Sequence, residues 1–132
     1  MDPAYRTTVF EVPVAPPLTE FWIVTAYNPG GHVRELEANQ AADEVLRHAL
    51  ETAGHSHWRI TGRSPDGTHR EPGWAVADEA TAHELARRHQ QVALYQVRGD
   101  RLLLLATGAD GTQAEDLGSW AARQAGCGGD LR

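Results

Sequence analysis

The chain has 132 residues, of which 41% are hydrophobic and 23% are charged, and this composition is typical of one globular domain with a buried core. Twelve basic residues, all arginine, against eighteen acidic residues give a formal net charge of −6, which disfavours nucleic-acid binding because that requires a basic face. The single cysteine, Cys127, excludes an intramolecular disulfide, and no apolar run reaches the roughly 20 residues that span a bilayer. We therefore expect a cytoplasmic protein that binds neither nucleic acid nor membrane.

Hydrophobic periodicity predicts alternating strands and helices. An extended arm over residues 6–14 comes first, and three nearby prolines restrict it to a sheet edge because proline donates no ladder hydrogen bond. The elements that follow are predicted as strand 21–27, helix 33–53, strand 57–61, strand 73–77, helix 78–90, and strands 92–97 and 101–106. Residues of about 6–107 would form the core of a single domain. A tail over 108–132 would follow, with a weak helix over 113–124 and a disordered Gly-rich end.

The order strand, helix, strand, strand, helix, strand is that of a ferredoxin-like βαββαβ sandwich, an α+β fold with a mostly antiparallel sheet. We expect both main helices on one face and extra strands at both ends. The predicted spatial order of the segments is 57–61, 73–77, 21–27, 92–97 and 101–106, with the first arm at either edge.

Two of these strands are apolar on both sides, although two helices can cover only one face of a sheet. The residues concerned are Phe21 to Val24 and Leu102 to Leu105. The second face must therefore be covered by the tail helix with Trp120, by the N-terminal arm, or by a second copy of the chain in a homodimer.

The predicted topology brings several polar residues to one end of the sheet. It places there the end of strand 21–27, the start of the first helix, the hairpin turn 62–71 and the end of the second helix. The polar residues at these places are Asn28, Asn39, Arg63, His69, Arg70, Glu71 and Gln91. A polar site, if the chain has one, is therefore expected at this end.

Four segments in the same region resemble a known family. They are Thr25-Ala26-Tyr27-Asn28-Pro29, Glu37-Ala38-Asn39, Glu71-Pro72-Gly73-Trp74-Ala75-Val76, and Ala86-Arg87-Arg88-His89-Gln90-Gln91-Val92-Ala93-Leu94. In this order they are similar to the bacterial family of unknown function numbered 3293, over roughly residues 21–98. The resemblance implies a bacterial origin and no established activity. It marks Tyr27, Asn28, Pro29, Asn39, Glu71, Pro72 and Gln91 as motif positions, and it departs from the family at His69-Arg70, where an aromatic residue is expected.

Each polar position has a structural and a functional interpretation. In the structural one, Asn28 forms a turn before Pro29, Asn39 bridges to the helix start, and Gln91 satisfies carbonyls at a helix end. Glu71 would then receive a helix N-terminus or pair with an arginine. In the functional one, these side chains line a pocket for a small polar or anionic ligand, and its candidate residues are Tyr27, Asn28, Asn39, Arg63, Glu71 and Gln91.

Three functions stay open. The first is a binding or regulatory module that uses this pocket, and the second is an interaction protein that uses the open sheet face. The third is a small enzyme in which Glu71 is the general acid or base and Arg63 or Arg70 stabilises negative charge. No phosphate loop, nucleophile elbow or complete metal-ligand set occurs, so we expect no cofactor and no metal.

Overall fold

The computed structural model describes residues 1–109 and 111–125. This part of the chain contains seven strands and two α-helices. They are β1 (Val9–Glu11), β2 (Glu20–Thr25), α1 (Leu36–Thr52), β3 (His57–Arg63), β4 (Arg70–Val76), α2 (Glu79–Arg88), β5 (Ala93–Arg98), β6 (Arg101–Ala106) and β7 (Glu115–Ser119). Short 3-10 turns span Pro3–Arg6, Pro29–Gly31, Gly111–Gln113 and Ala121–Arg123.

The strands form one antiparallel sheet in the order β1-β3-β4-β2-β5-β6-β7, so the fold is α+β. The order predicted for the five inner strands is confirmed, and the N-terminal arm pairs at the β3 edge. None of the helices in the described residues is long and apolar enough to cross a membrane.

The central strand β2 divides the core, because successive side chains of a strand point to opposite faces. Phe21 and Ile23 lie in one buried cluster, whereas Trp22 and Val24 lie in the other. The second cluster also contains Leu46 and Leu50 of α1, and Ala82, Leu85 and Ala86 of α2. Side chains of both helices therefore belong to the same buried cluster as Trp22 and Val24.

The other face is covered by the two ends of the described chain. The sheet curls until its edges approach, and a parallel bridge joins Phe10 of β1 to Gln124. The ring of Trp120 packs against those of Phe10 and Phe21, with centroids 5.2 and 5.9 Å apart. Of the three coverings expected, the arm and Trp120 are thus observed. The homodimer, which was predicted on this same face, stays an untested prediction.

The tail helix predicted over 113–124 is wrong. Residues Glu115–Ser119 instead form β7, which pairs with β6, and only short 3-10 turns flank it. The spacing of Leu117 and Trp120 suits a helix, but Gly118 has a φ of 102°, which is outside helical values. Pairing also satisfies the edge of β6, whose backbone groups would otherwise lack partners. The predicted disordered end lies beyond the described residues.

Candidate functional site

The sheet opens at one end because the pairing of β2 with β4 stops there. Thr25 lies opposite Gly73 in the last pair, whereas β4 stays paired with β3 as far as Arg70. The next residue, Pro72, has no N–H for a ladder, and its carbonyl accepts a hydrogen bond from Thr25 Oγ1 at 2.7 Å. Glu71 is consequently left without a neighbour on β2.

Gly73 allows the two strands to approach closely just before they separate. A Cβ atom at this position would lie 2.6 Å from the carbonyl oxygen of Val24, a distance that no side chain can occupy. The Pro72-Gly73 pair therefore sets both the tight contact between the strands and the point where they diverge.

Two asparagine side chains fill the space at the end of β2. Asn28 has left-handed backbone angles (φ 48°, ψ 64°), which asparagine tolerates better than most residues. Its backbone N–H donates to Asn39 Oδ1, and Asn39 Nδ2 donates to Asn28 Oδ1, both at 2.9 Å. Asn39 is on α1 and only 4% exposed. The two amides thus hold each other in one orientation, with Asn28 Nδ2 directed toward β4.

Glu71 receives that remaining donor. Asn28 Nδ2 lies 2.8 Å from Glu71 Oε2, and Glu71 takes part in none of the ion pairs of the described residues. Burial raises the pKa of the Glu71 carboxyl, while the hydrogen bond from Asn28 and the nearby His69 oppose the shift. The site therefore contains a half-buried carboxylate with an increased affinity for a proton.

Gln91 ties the end of α2 to the same place. The helix closes with Gln90 at a φ of 54°, and Gln91 N donates to Ala86 O at 2.8 Å. Gln91 Nε2 then donates to Tyr27 O at 2.9 Å and to His89 O at 3.2 Å. Both donors of this amide are therefore used on backbone carbonyls, as the structural interpretation expects.

Arg34 belongs to this network, although it is not among the predicted site residues. Its Nε donates to Asn39 Oδ1 at 2.7 Å, and its Nη2 donates to Ala26 O at 3.2 Å. Its backbone N–H donates to Asn28 Oδ1 at 3.2 Å. The signal available in the sequence was its position in the turn between Asn28 and α1, which the family segments leave out.

The arginines predicted to neutralise Glu71 lie elsewhere. Arg63 Nε is 3.2 Å from Glu11 Oε2, and Arg70 Nη2 donates to Glu11 Oε1 at 2.5 Å. These two residues face each other at the end of the β3–β4 hairpin, and Glu11 is on the neighbouring strand β1. An arginine pair with Glu71, one of the structural alternatives, is thus absent from the described contacts.

A cavity of about 490 Å³ joins these groups. It runs from the sheet end, where all six candidate residues line it, along the face of the sheet under the N-terminal arm. Ile23, Thr25 and Ala93 contribute small or apolar wall, and Tyr5 and Thr8 contribute the arm. Tyr95 holds the arm in place, since its hydroxyl donates to Tyr5 O at 2.6 Å and is also within hydrogen-bond distance of Thr8 Oγ1, at 3.0 Å.

The cavity thus brings together the six residues predicted for this end of the sheet. It is also lined by Tyr5, Arg34 and Tyr95, which were not among the predicted residues. Tyr95 pairs with Ile23 on the neighbouring strand β2, but nothing in its local sequence distinguishes it from a core residue. Within 1–109 and 111–125, no group of three His, Cys, Asp or Glu side chains is placed to hold a metal ion.

The fold and site describe a small α+β protein with a mixed polar and apolar cavity at the open end of an antiparallel sheet. Its residues 24–94 match the model of the family described as "Protein of unknown function (DUF3293)". Because the match covers more than half of the chain, the protein belongs to that family. No curated protein and no solved structure gives a significant match.

Proposed function

We propose that the protein is a binding module that holds a small polar ligand in the cavity at the sheet end. The observation that carries this proposal is the lack of a cationic partner for the Glu71 carboxylate among the described residues. This carboxylate lines the cavity, has one donor from Asn28, and is neutralised by no cation among the described residues. Leaving such a group half buried costs free energy, which a ligand that contacts it would recover.

The form of the cavity supports the same function. Its volume of about 490 Å³ is within the range of roughly 300–1,000 Å³ that small-molecule sites occupy. The wall is largely apolar, and a few fixed polar groups converge at one end, which is the usual division between affinity and orientation. Asn28 and Asn39 fix each other, so their positions would need little ordering on binding.

Thermal stabilisation by ligands tests this function. A panel of small metabolites is screened for shifts in the midpoint of unfolding, and at least one stabilising compound is expected. Asn28→Ala and Glu71→Ala should abolish the shift, whereas Glu37→Ala should retain it, because Glu37 is an exposed acid outside the cavity. A panel that stabilises the wild type and Glu71→Ala equally would contradict the proposal.

An enzyme remains the second candidate, and the raised pKa of Glu71 favours it. A general acid or base is most effective when its pKa is near the working pH, and burial moves that of Glu71 in this direction. The arginine proposed to stabilise negative charge would be Arg63 or Arg70, both of which line the cavity. If the protein is an enzyme, the wild type should convert a ligand found in the screen. The Glu71→Gln variant should bind the same ligand without converting it.

The cavity would be carried by the ferredoxin-like core predicted from the sequence. This assignment is supported by the order β3-β4-β2-β5 of the four core strands and by the shared burial of α1 and α2. A homodimer is still a proposal and is tested by light scattering, where a monomeric mass would exclude it.

A further inference from the structure

The Glu71 carboxylate has one oxygen without a hydrogen bond from the described residues, and this oxygen indicates which chemical class of ligand the cavity would bind. Oε2 accepts from Asn28, whereas Oε1 accepts nothing from the described residues and is not among the buried polar atoms that lack a partner. Oε1 is therefore accessible from the cavity. An ionised carboxylate only accepts hydrogen bonds, so a group that binds to Oε1 has to be a donor.

No hydrogen bond or ion pair of residues 1–109 and 111–125 supplies that donor to Oε1. Among the residues described, Arg63 and Arg70 contact Glu11, while Arg34 donates to Asn39 and to a backbone carbonyl. The side-chain amide of Asn28 cannot rotate to bring Nδ2 to Oε1 as well. Its Oδ1 is held in place by hydrogen bonds from Asn39 Nδ2 and from the backbone N–H of Arg34. The negative charge at this point is thus unmatched by any ion pair of the described residues.

The surroundings of Glu71 suit a cation more than a neutral donor. Tyr5 and Tyr95 line the same cavity as Glu71. Burial is the larger cause of the raised pKa of both phenols, and the charge of Glu71 contributes to it. The Tyr5 hydroxyl makes no hydrogen bond with the described residues, and aromatic faces attract ammonium groups. The adjoining wall includes Ile23, which suits an apolar body.

We propose that the cavity binds a small amine whose ammonium group donates to Glu71 Oε1 and whose apolar body lies against Ile23 and Tyr95. This proposal rests on the binding function proposed above. An anion in the same position would be repelled by the charge of Glu71. Arg63 and Arg70, which also line the cavity, are already paired with Glu11.

Three probes with one apolar tail test the amine: n-butylamine, butyramide and butyrate. Each is titrated into the 15N-labelled full chain at neutral pH, and amide shifts around the site give the affinity. Butylamine should bind at least roughly tenfold more tightly than butyramide, which corresponds to about 1.4 kcal/mol. Charge-assisted hydrogen bonds exceed neutral ones in strength, which is the reason for this order.

Two variants locate the effect. Glu71→Gln keeps an acceptor for Asn28 and should lose the preference for butylamine. Asp2→Asn alters the other carboxylate that lines the cavity and should keep the preference. If Glu71→Gln does not fold, the wild type suffices, because butylamine binding should weaken as Glu71 is protonated at low pH.

The outcomes separate the two proposals. If butyramide or butyrate binds at the site at least as tightly as butylamine, the amine is overturned while a binding cavity stands. The amine is also overturned if Glu71→Gln retains the preference or Asp2→Asn removes it. If none of the three probes shifts the site, the amine is overturned, and the metabolite panel alone decides whether the cavity binds another ligand.

Discussion

Replacing Asn39 by alanine tests whether the paired amides hold the site together. Asn39 is 4% exposed and makes three hydrogen bonds of 2.7 to 2.9 Å with Asn28 and Arg34. Alanine removes all three and leaves the backbone N–H of Asn28 without its partner. Three hydrogen bonds at about 1 kcal/mol each, less about 0.5 kcal/mol that alanine regains in helix propensity, give a loss of roughly 2 to 3 kcal/mol in the free energy of unfolding.

The measurement is urea unfolding followed by tryptophan fluorescence, with Gln40→Ala as the matched control. Gln40 is the next residue of α1 and is exposed, so its replacement should change the free energy of unfolding by less than about 0.5 kcal/mol. The slope of the transition should be equal in both variants, since neither changes the surface exposed on unfolding. A loss for Asn39→Ala as small as that for Gln40→Ala would refute the inferred role of the amide pair.

Three further outcomes follow from the same contacts. Because burial raises the folded pKa of Glu71, the folded state binds more protons, and stability falls as pH rises from the ordinary carboxyl range through that raised value. Glu71→Gln should therefore be more stable than the wild type at pH 7 and lose this advantage near pH 4, and urea midpoints that run parallel across this range would contradict it. Gly73→Ala should destabilise the fold by several times more than Gly62→Ala, because a Cβ would lie 2.6 Å from a backbone carbonyl at the first position and 3.3 Å from a threonine methyl at the second. Equal shifts in thermal midpoint for the two would rule out the close approach of the strands. Tyr95→Phe removes two hydrogen bonds, so it should cost about 1 to 2 kcal/mol and speed hydrogen exchange in residues 1–8, whereas unchanged exchange there would mean that this hydroxyl does not fasten the arm.

The interior of the fold was predictable because its signals are local. The continuous apolar run from Phe21 to Val24 predicts a strand covered on both faces, and the structure buries these residues in two clusters. Asp78 is the first residue of the predicted helix 78–90, and in the structure its Oδ2 caps α2 by accepting from Thr81 N at 2.9 Å. Each of these features depends on a few neighbouring residues, whose spacing the sequence records directly.

The tail was not predictable in the same way. The segment 115–119 contains two acids and a glycine, and its strand conformation depends on the neighbouring edge of β6. An ion pair between Arg101 of β6 and Asp116 of β7 joins the two strands, and no periodicity within the segment predicts this contact. A weak local preference for helix is therefore overridden by hydrogen bonds to the preceding strand β6, which lies outside the segment itself.

The candidate site was likewise predictable in part: its location followed from the sequence, whereas the contacts within it did not. Strand order alone was enough to bring Asn28, Asn39 and Glu71 to one end of the sheet, since antiparallel pairing determines which chain ends meet. The partner of each side chain was decided only by the tertiary structure. Glu71 accepts a hydrogen bond from Asn28 and forms no ion pair with an arginine of the described residues, because Arg63 and Arg70 pair with Glu11 of β1.

The sequence by itself thus determined the strand order, the two-sided core and the end of the sheet where polar groups collect, because periodicity and connection order are properties of the chain. Only the tertiary structure decided that the chain ends cover the second face, and that Glu71 is left with an unused acceptor beside a cavity. The physical reason is that burial and hydrogen-bond competition depend on residues far apart in sequence. The contact between Phe10 and Trp120 and that between Asn28 and Glu71 are both of this kind.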